Sequence, residues 1–286
     1  MSNSLQKFIL TTLTLAIAFT VPSFGQGGDT PLGPVKSAVP FYFGPVVGYN
    51  RVLHSADITT FNYEAVECPV FQNGSANGYF FGISFEYLLG GAKDSKSSII
   101  ARVLYNSMPA SFEVEGDEYP SAVIDLSDGS QSIVSSSTEH KNEIIYNMIT
   151  AEAQFKMNLF ETQFGVVAGP TFDFAMQKDQ NQTYSLLTPK EARFAPVSPE
   201  EQAAQGIRYS ADGRTLIAKE GEIPNSSAFR FGIKFGVQYE ILLAGGFYVV
   251  PSFNYNFGVT NLSSDDDWRV SALQLGVDVR FPSTIF

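Results

Sequence analysis

Histidine is the side chain that most often serves as a general base near neutral pH, and this sequence has it only at positions 54 and 140. A Ser–His–acid hydrolase needs such a base beside a serine hydroxyl, and a run of three serines at 135–137 precedes His140. Spacing along the chain does not establish a triad, and serines are common in loops. We therefore expect no catalytic residues, and a lipid hydrolase ranks third among the interpretations. Without a zinc, phosphate-loop or nucleotide motif, no metal and no cofactor is expected.

Ten charged residues could form ion pairs or an ion path. They share one face of the alternating segments with glycine and small polar residues. Five acids therefore face five bases, and a charge buried without a partner costs several kcal/mol. The favoured interpretation is a neutral, salt-bridged plug, and the alternative is a gated or narrow ion path through the same residues. The ten residues are Glu86, Glu152, Asp173, Glu240 and Asp278, with Arg102, Lys156, Arg230, Lys234 and Arg280.

The elements that position these charges are strands with an apolar face. In the segment Ala228–Ile241, odd positions from 229 onward carry Phe, Ile, Val or Tyr, and even positions carry Arg, Lys, Glu, Gln or Gly. A period of two places successive side chains on opposite faces of a strand. The apolar face is too hydrophobic for a water-soluble sheet, whereas a barrel in a bilayer turns that face to lipid and the charges to the lumen.

Eight such segments predict an all-β fold, an eight-stranded antiparallel up-and-down transmembrane β-barrel with long extracellular loops. Prolines inside strands lack the N–H that a sheet ladder needs, so bulges are expected at Pro45, Pro170 and Pro251. Aromatic residues near both strand ends predict two interfacial girdles. The eight strands are predicted at 41–53, 79–89, 98–107, 144–159, 162–174, 228–241, 247–259 and 270–281.

The ends of the segments set the topology. Three short turns and four longer loops alternate along the chain, which fits eight antiparallel strands with both termini in the periplasm. Residues 1–25 combine Lys7, an apolar run and a small-residue exit, the pattern of a secretory signal peptide. We expect residues 26–40 to form a periplasmic segment and residues 41–286 to form the barrel. A secreted chain of this kind indicates the outer membrane of a Gram-negative cell.

The long loops carry most of the net charge of −11. Their carboxylates either bind divalent cations that bridge to lipopolysaccharide or form a solvated surface, which is favoured. Asp-Gly pairs predict hairpins within 122–136 and 207–219 that extend the barrel, whereas 192–205 is expected to be a plain linker. The single cysteine, Cys68, is expected to be a free loop thiol, with intermolecular pairing as the alternative. The acidic loop residues are Asp57, Glu64, Glu67, Glu113, Glu115, Asp117, Glu118, Asp125, Asp128, Glu139 and 265–267.

With strands and loops assigned, the chain resembles the small outer-membrane β-barrel families, namely the transmembrane domain of OmpA, OmpX and the PorT-like barrels of Bacteroidota. The likeness rests on Phe-Gly-Pro-Val-Val-Gly-Tyr-Asn (43–50), Gly-Val-Val-Ala-Gly-Pro-Thr-Phe (165–172) and Leu-Gln-Leu-Gly-Val-Asp-Val-Arg-Phe (273–281). It implies contact with outer-membrane lipid and folding by the barrel-assembly machinery, which reads a C-terminal aromatic strand. Phe281 and Phe286 are the two candidates for that role.

These observations favour a structural or loop-mediated binding and adhesion role with an unknown extracellular ligand. The alternative is a narrow pore or a transport-associated channel. The acidic composition argues against nucleic acid as a partner, because nucleic-acid binding needs a basic surface.

Overall fold

The computed structural model describes residues 41–59, 70–89, 96–124, 131–159, 162–195, 197–243, 246–264 and 267–283. The signal peptide and the periplasmic segment expected at 1–40 lie outside these residues, as does Cys68. The described chain forms twelve strands and one helix. They are β1 (Phe41–Thr59), β2 (Val70–Leu89), β3 (Ser97–Ser107), β4 (Ala110–Ile124), β5 (Gln131–Asn158), β6 (Phe164–Thr188), α1 (Pro199–Gln205), β7 (Arg208–Tyr209), β8 (Thr215–Glu222), β9 (Phe229–Tyr239), β10 (Ile241–Leu242), β11 (Tyr248–Gly258) and β12 (Arg269–Pro282).

Eight of the strands form a closed antiparallel ring. β1 pairs with β2, β2 with β3, β3 with β5, and β5 with β6. From there β6 pairs with β9, β9 with β11, β11 with β12, and β12 returns to β1. Each of the eight predicted segments supplies one strand of this ring, so the predicted eight-stranded antiparallel barrel is confirmed.

The barrel wall has the burial pattern of a membrane-spanning protein. Along β3 every second residue is buried, and those buried residues include Arg102 and Asn106, whereas Ile99 and Val103 are about half exposed on the outside. Aromatic pairs mark both ends of the exposed apolar band, as at Phe247–Phe281 and Tyr79–Tyr105, whose ring centroids lie 5.6 and 6.2 Å apart. A hydrocarbon exterior around a polar interior is the arrangement that a bilayer requires. Among the described residues, no helix is long and apolar enough to cross a membrane.

The bulges expected at the prolines are not present. Pro45, Pro170 and Pro251 each keep an unshifted register with a neighbouring strand. Loss of one proline N–H therefore removes a ladder bond without moving the strands. In the described ladders the register shifts lie at 55/58, 115/118, 137/138, 147/148 and 182/183.

Several strands continue well beyond the predicted spans and build a sheet above the barrel. There β5 pairs with β4 and β6, and β6 pairs with β8, which in turn pairs with β7. The two predicted hairpins are confirmed as β4–β5 and β7–β8, and Gly213 takes φ +65° in the second turn, where glycine tolerates a left-handed backbone. We call this sheet above the barrel, together with the segment 189–214, the extension.

The expectation of a plain linker at 192–205 is wrong. α1 begins there with a capping box, in which the Ser198 hydroxyl accepts from the Glu201 N–H and the Glu201 carboxylate accepts from the Ser198 N–H. Ala192 and Phe194 are buried in an apolar cluster of the extension, the upper cluster, because the segment folds back onto the sheet. The buried members of this cluster are Tyr119, Tyr184, Leu186, Ala192, Phe194, Ile207, Leu216 and Ala218.

Candidate functional site: the barrel lumen

Nine of the ten predicted lumen charges lie on inward positions of barrel strands, and the tenth, Glu240, directly follows β9 on the same parity. Nine of them are buried, and Glu240, near the end of the barrel that holds the short turns, is partly exposed. Each inward position follows from strand parity, since the neighbours on either side face out. Each of the ten side chains has at least one oppositely charged partner within salt-bridge distance.

The lowest layer, nearest the short turns, centres on Glu86. Its carboxylate receives Arg280 Nη1 at 2.5 Å and Lys156 Nζ at 2.5 Å, and the Ser98 hydroxyl donates to it at 2.5 Å. Lys156 also pairs with Glu240. Two acids and two bases, from β2, β5, β12 and the residue that follows β9, therefore neutralise one another at this level.

The middle layer is linked to the lowest one through Asp278. Its Oδ2 accepts from Arg102 Nη2 at 2.9 Å and from Arg280 Nη2 at 2.8 Å. Arg102 Nη1 lies 3.6 Å from Glu152, which also pairs with Lys234. A chain of alternating charges thus crosses the lumen, and removal of any member leaves a buried charge without its full set of partners.

The upper layer contains one ion pair and an aromatic ring. Arg230 Nη2 donates to Asp173 Oδ2 at 3.0 Å, and the Thr150 hydroxyl donates to Asp173 Oδ1 at 2.7 Å. The Arg230 guanidinium carbon also lies 5.4 Å from the centre of the Tyr146 ring, within cation–π range. The three layers together contain five acids and five bases, so their formal charges sum to zero.

Above these layers the interior becomes apolar. A cluster at the extension end of the barrel, the mouth cluster, packs aromatic and aliphatic side chains from the upper parts of the strands. Phe71, Phe112 and Trp268 are each about 1% exposed or less. The sequence reasoning did not identify Trp268, although it continues the inward parity of β12. The buried members are Val52, Ala56, Ile58, Phe71, Met108, Ala110, Phe112, Ile144, Tyr146, Met148, Ile223, Leu262, Trp268, Val270 and Ala272.

His54 lies within the mouth cluster and is fully buried. Its Nδ1 accepts a hydrogen bond from Trp268 Nε1 at 3.0 Å, which leaves Nε2 to donate to the Met108 carbonyl at 3.2 Å. This position is above the outer aromatic girdle, where the surrounding outward residues Ser55, Ser75 and Ser271 are polar and Leu53 is apolar. Burial, reinforced by the charge of Arg230 and opposed by the bond to Met108, lowers the pKa of His54 to about 3. The imidazole is therefore neutral and structural at physiological pH.

His140 lies in the extension, where its ring stacks on Tyr184 at a centroid distance of 4.2 Å. The serines that precede it bond to other groups: Ser135 donates to Glu118 at 2.8 Å, Ser136 meets Ser121, and Ser137 meets Thr188. These contacts occupy the serines in strand pairing.

The acidic residues predicted in loops lie partly on strands of the extension. Lys141 there bridges Glu143 at 2.8 Å and Glu113 at 3.6 Å. In the part of the chain that the structure describes, no group of three or more His, Cys, Asp or Glu side chains is arranged to hold a metal. Glu64, Glu67, Asp125, Asp128 and 265–266 lie outside the described residues.

No protein-family model matches the chain, and no curated protein matches it either. Among solved structures, it is similar to Neisserial surface protein A (14% identity, 85% of this chain and 97% of that one, TM-score 0.33). It is also similar to Ail, the attachment invasion locus protein of Yersinia pestis (12%, 84% and 98%, 0.29). A third is the outer membrane protein OprG from Pseudomonas aeruginosa (9%, 87% and 100%, 0.34).

The chain is an eight-stranded transmembrane β-barrel. Its eight strands close into a ring, and they place polar side chains inside and apolar side chains outside. A narrow barrel of eight strands has an interior only wide enough for side chains to fill. The site therefore consists of a packed lumen and a mouth cluster above it.

We expect Glu152→Gln to destabilise the barrel by about 3–5 kcal/mol, because Lys234 and Arg102 would lose their shared buried carboxylate. The matched control is Glu143→Gln on the outer surface of the extension, where an exposed ion pair contributes about 0–1 kcal/mol. Urea unfolding of both variants in lipid vesicles measures the difference. Equal and small effects would mean that water, and not Glu152, solvates the two bases.

His54 should make stability depend on pH. Its folded pKa of about 3 lies below the unfolded value near 6.5, so the stabilisation is complete above pH 6.5 and is lost as pH falls toward 3. The loss should be roughly 1.4 kcal/mol for each pH unit below about 6.5. We expect the free-energy difference between the wild type and His54→Asn to shrink by about 2 kcal/mol between pH 7 and pH 5. A difference that stays constant over this range would show that His54 protonates freely in the folded protein.

Proposed function

We propose that this chain is an integral outer-membrane protein with both termini in the periplasm and a closed lumen. Its structural or adhesive role would be carried by the extension outside the cell. The observation that carries this proposal is the filling of the barrel, where three ion-paired layers lie beneath the mouth cluster. A lumen occupied in this way leaves the outer surfaces as the places where partners can bind.

The orientation rests on the asymmetry of the two barrel ends. At one end the strands are joined by short turns, and at the other they continue into the extension. Transmembrane barrels of bacteria have short periplasmic turns and longer extracellular segments. This asymmetry supports an extracellular extension and periplasmic chain ends.

The extension has the features of a rigid platform. It has its own apolar cluster, and Arg214 fastens the segment 189–214 to the end of β6 by donating to the carbonyls of Leu186 at 2.6 Å and Leu187 at 3.0 Å. Arg214 also donates to the Pro189 carbonyl at 3.1 Å within the segment. A scaffold that holds loops in fixed positions suits binding, since the affinity lost to ordering a loop is smaller. The extracellular ligand itself is unknown.

The resemblance to OmpA, OmpX and the PorT-like barrels remains part of this proposal. It supports contact with lipopolysaccharide and membrane insertion by the barrel-assembly machinery. Phe281, the residue before the last one of β12, is 42% exposed on the outside and would be available to that machinery.

A narrow pore is the second candidate. It is favoured by a small polar vestibule at the periplasmic end, a cavity of about 110 Å³ lined by residues that include Tyr42, Glu86, Glu240 and Tyr248. The vestibule leads to the lowest charge layer. Ions could pass only if the ion pairs and the mouth cluster both opened.

Planar-bilayer recordings distinguish the two candidates. We expect the wild-type protein to give no stable openings, because the paired charges and the mouth cluster both block the lumen. Stable, ion-selective openings that change in Glu152→Gln and not in Glu143→Gln would contradict the closed lumen and favour the pore.

A further inference from the structure

The outward face of β2, β1, β12 and β11 changes character at the extracellular edge of the apolar band. The strand register gives the last fully apolar or aromatic row as Tyr79, Tyr49, Leu275 and Phe253. Three further rows of outward-facing residues follow toward the extension. The first contains Asn77, Arg51, Leu273 and Tyr255, the second Ser75, Leu53 and Ser271, and the third Asn73, Ser55 and Arg269. Arginine and hydroxyl side chains therefore begin one row above the aromatic girdle.

Small side chains in these rows leave an open groove in the outer wall. Ser55, Ser75 and Ser271 are flanked by the larger Arg269 and Phe257, and the space between them is about 560 Å³. This volume is in the range of pockets that hold small organic ligands. The groove therefore has hydroxyl groups in its floor, an arginine at its upper rim and an aromatic side wall.

Arg269 lines the groove, and Arg51 lies beside it through its bond to Ser75, on a chain whose net charge is −11. Arg51 is held in place, because Nη1 donates to Asn77 at 2.9 Å and Nη2 donates to the Ser75 hydroxyl at 2.7 Å. Tyr49 donates to the same Asn77 oxygen at 2.6 Å. The arginine therefore stands at the boundary of the apolar band as part of a preformed hydrogen-bonded network.

Arg269 lies on the far side of the groove and has a side chain 49% exposed. Its Nε lies 3.4 Å from both Asn261 Oδ1 and Asp267 Oδ1, so the two contacts are long and share one nitrogen. Asp57 and Asp267 are the acidic side chains described near this rim. Their charge makes the groove a poor site for a free anion, so the apolar part of a ligand must add to the affinity.

We propose that this groove binds the phosphorylated headgroup of an anionic lipid in the outer leaflet of the membrane. The phosphate would lie between Arg51 and Arg269, since guanidinium groups bind phosphate through paired N–H donors. The serine hydroxyls would contact the sugar of a phosphorylated glycolipid, and its acyl chains would descend over Tyr255 and Phe253. Basic side chains at a membrane interface are a known basis of lipid-headgroup selection.

This inference rests on the proposed function, because it needs the groove to lie at the extracellular membrane surface. It adds a specific lipid site to that proposal. The two fail in different ways: a conducting lumen with intact lipid retention counts against the closed lumen alone. Loss of lipid retention in a silent barrel counts against neither the closed lumen nor the orientation.

The test is a titration of the detergent-solubilised full chain with lipid A, a bisphosphorylated glycolipid, followed by native mass spectrometry. We expect one tightly retained lipid for the wild type and at least about tenfold weaker retention for Arg51→Gln, Arg269→Gln, because two charge-assisted contacts are lost. The matched control Arg208→Gln, Lys219→Gln removes two positive charges from the exposed extension. It should retain lipid within about twofold of the wild type.

Two further measurements keep the result interpretable. Ser271→Tyr fills the groove without removing a charge and should also weaken lipid retention about tenfold. Heat-modifiable gel mobility checks that this variant is folded. Inorganic phosphate and glucosamine 1-phosphate should not displace the lipid, since they lack acyl chains. Wild-type retention in both groove variants, equal loss in the control, or full displacement by either soluble phosphate would overturn the proposal.

Discussion

The structure depends on pairing charges inside a wall whose outside must be apolar. Strand alternation forces every second residue inward, so a strand that presents Phe, Ile and Val to lipid has to place its polar residues in the lumen. Eight strands leave no room for bulk water around those residues. Asp278 illustrates the consequence, because it bonds both Arg102 and Arg280 and so connects two layers of the network. The network therefore supplies the partners that inward charges need in so narrow a barrel.

The same strands reverse their polarity where they leave the apolar band. On β5 the inward residue Glu152 is charged and the outward residue Phe155 is exposed, whereas higher on the strand the inward residues Ile144 and Tyr146 are buried and apolar. Above the bilayer the outside meets water, and the usual arrangement of a soluble sheet returns. The mouth cluster forms at this reversal, where apolar side chains instead of ion pairs fill the interior.

The period of two predicted the eight barrel strands and the inward position of all ten charges, because each strand carries that information locally. It did not predict which acid meets which base, since Lys156 and Glu86 come together only when the ring closes. The strands of the extension are harder to predict from the sequence. There the apolar residues face inward and mixed polar residues face outward, so the period-two alternation is weaker than in the membrane span. Two local features of the sequence indicate what the alternation alone does not. The capping box at Ser198 indicates the helix α1, and the inward parity of Trp268 indicates that its side chain is buried.

The most direct test of this account compares two adjacent residues of β2 in a Cys68→Ser background. Phe81 is 52% exposed on the outer wall, and Phe80 is 4% exposed in the lumen, where its ring lies against Gly48. In lipid vesicles, Phe81→Cys should react with a lipid-soluble maleimide and resist a water-soluble one, whereas Phe80→Cys should react with neither. Rapid labelling of Phe80→Cys by the water-soluble maleimide would reveal an open aqueous lumen and contradict the account.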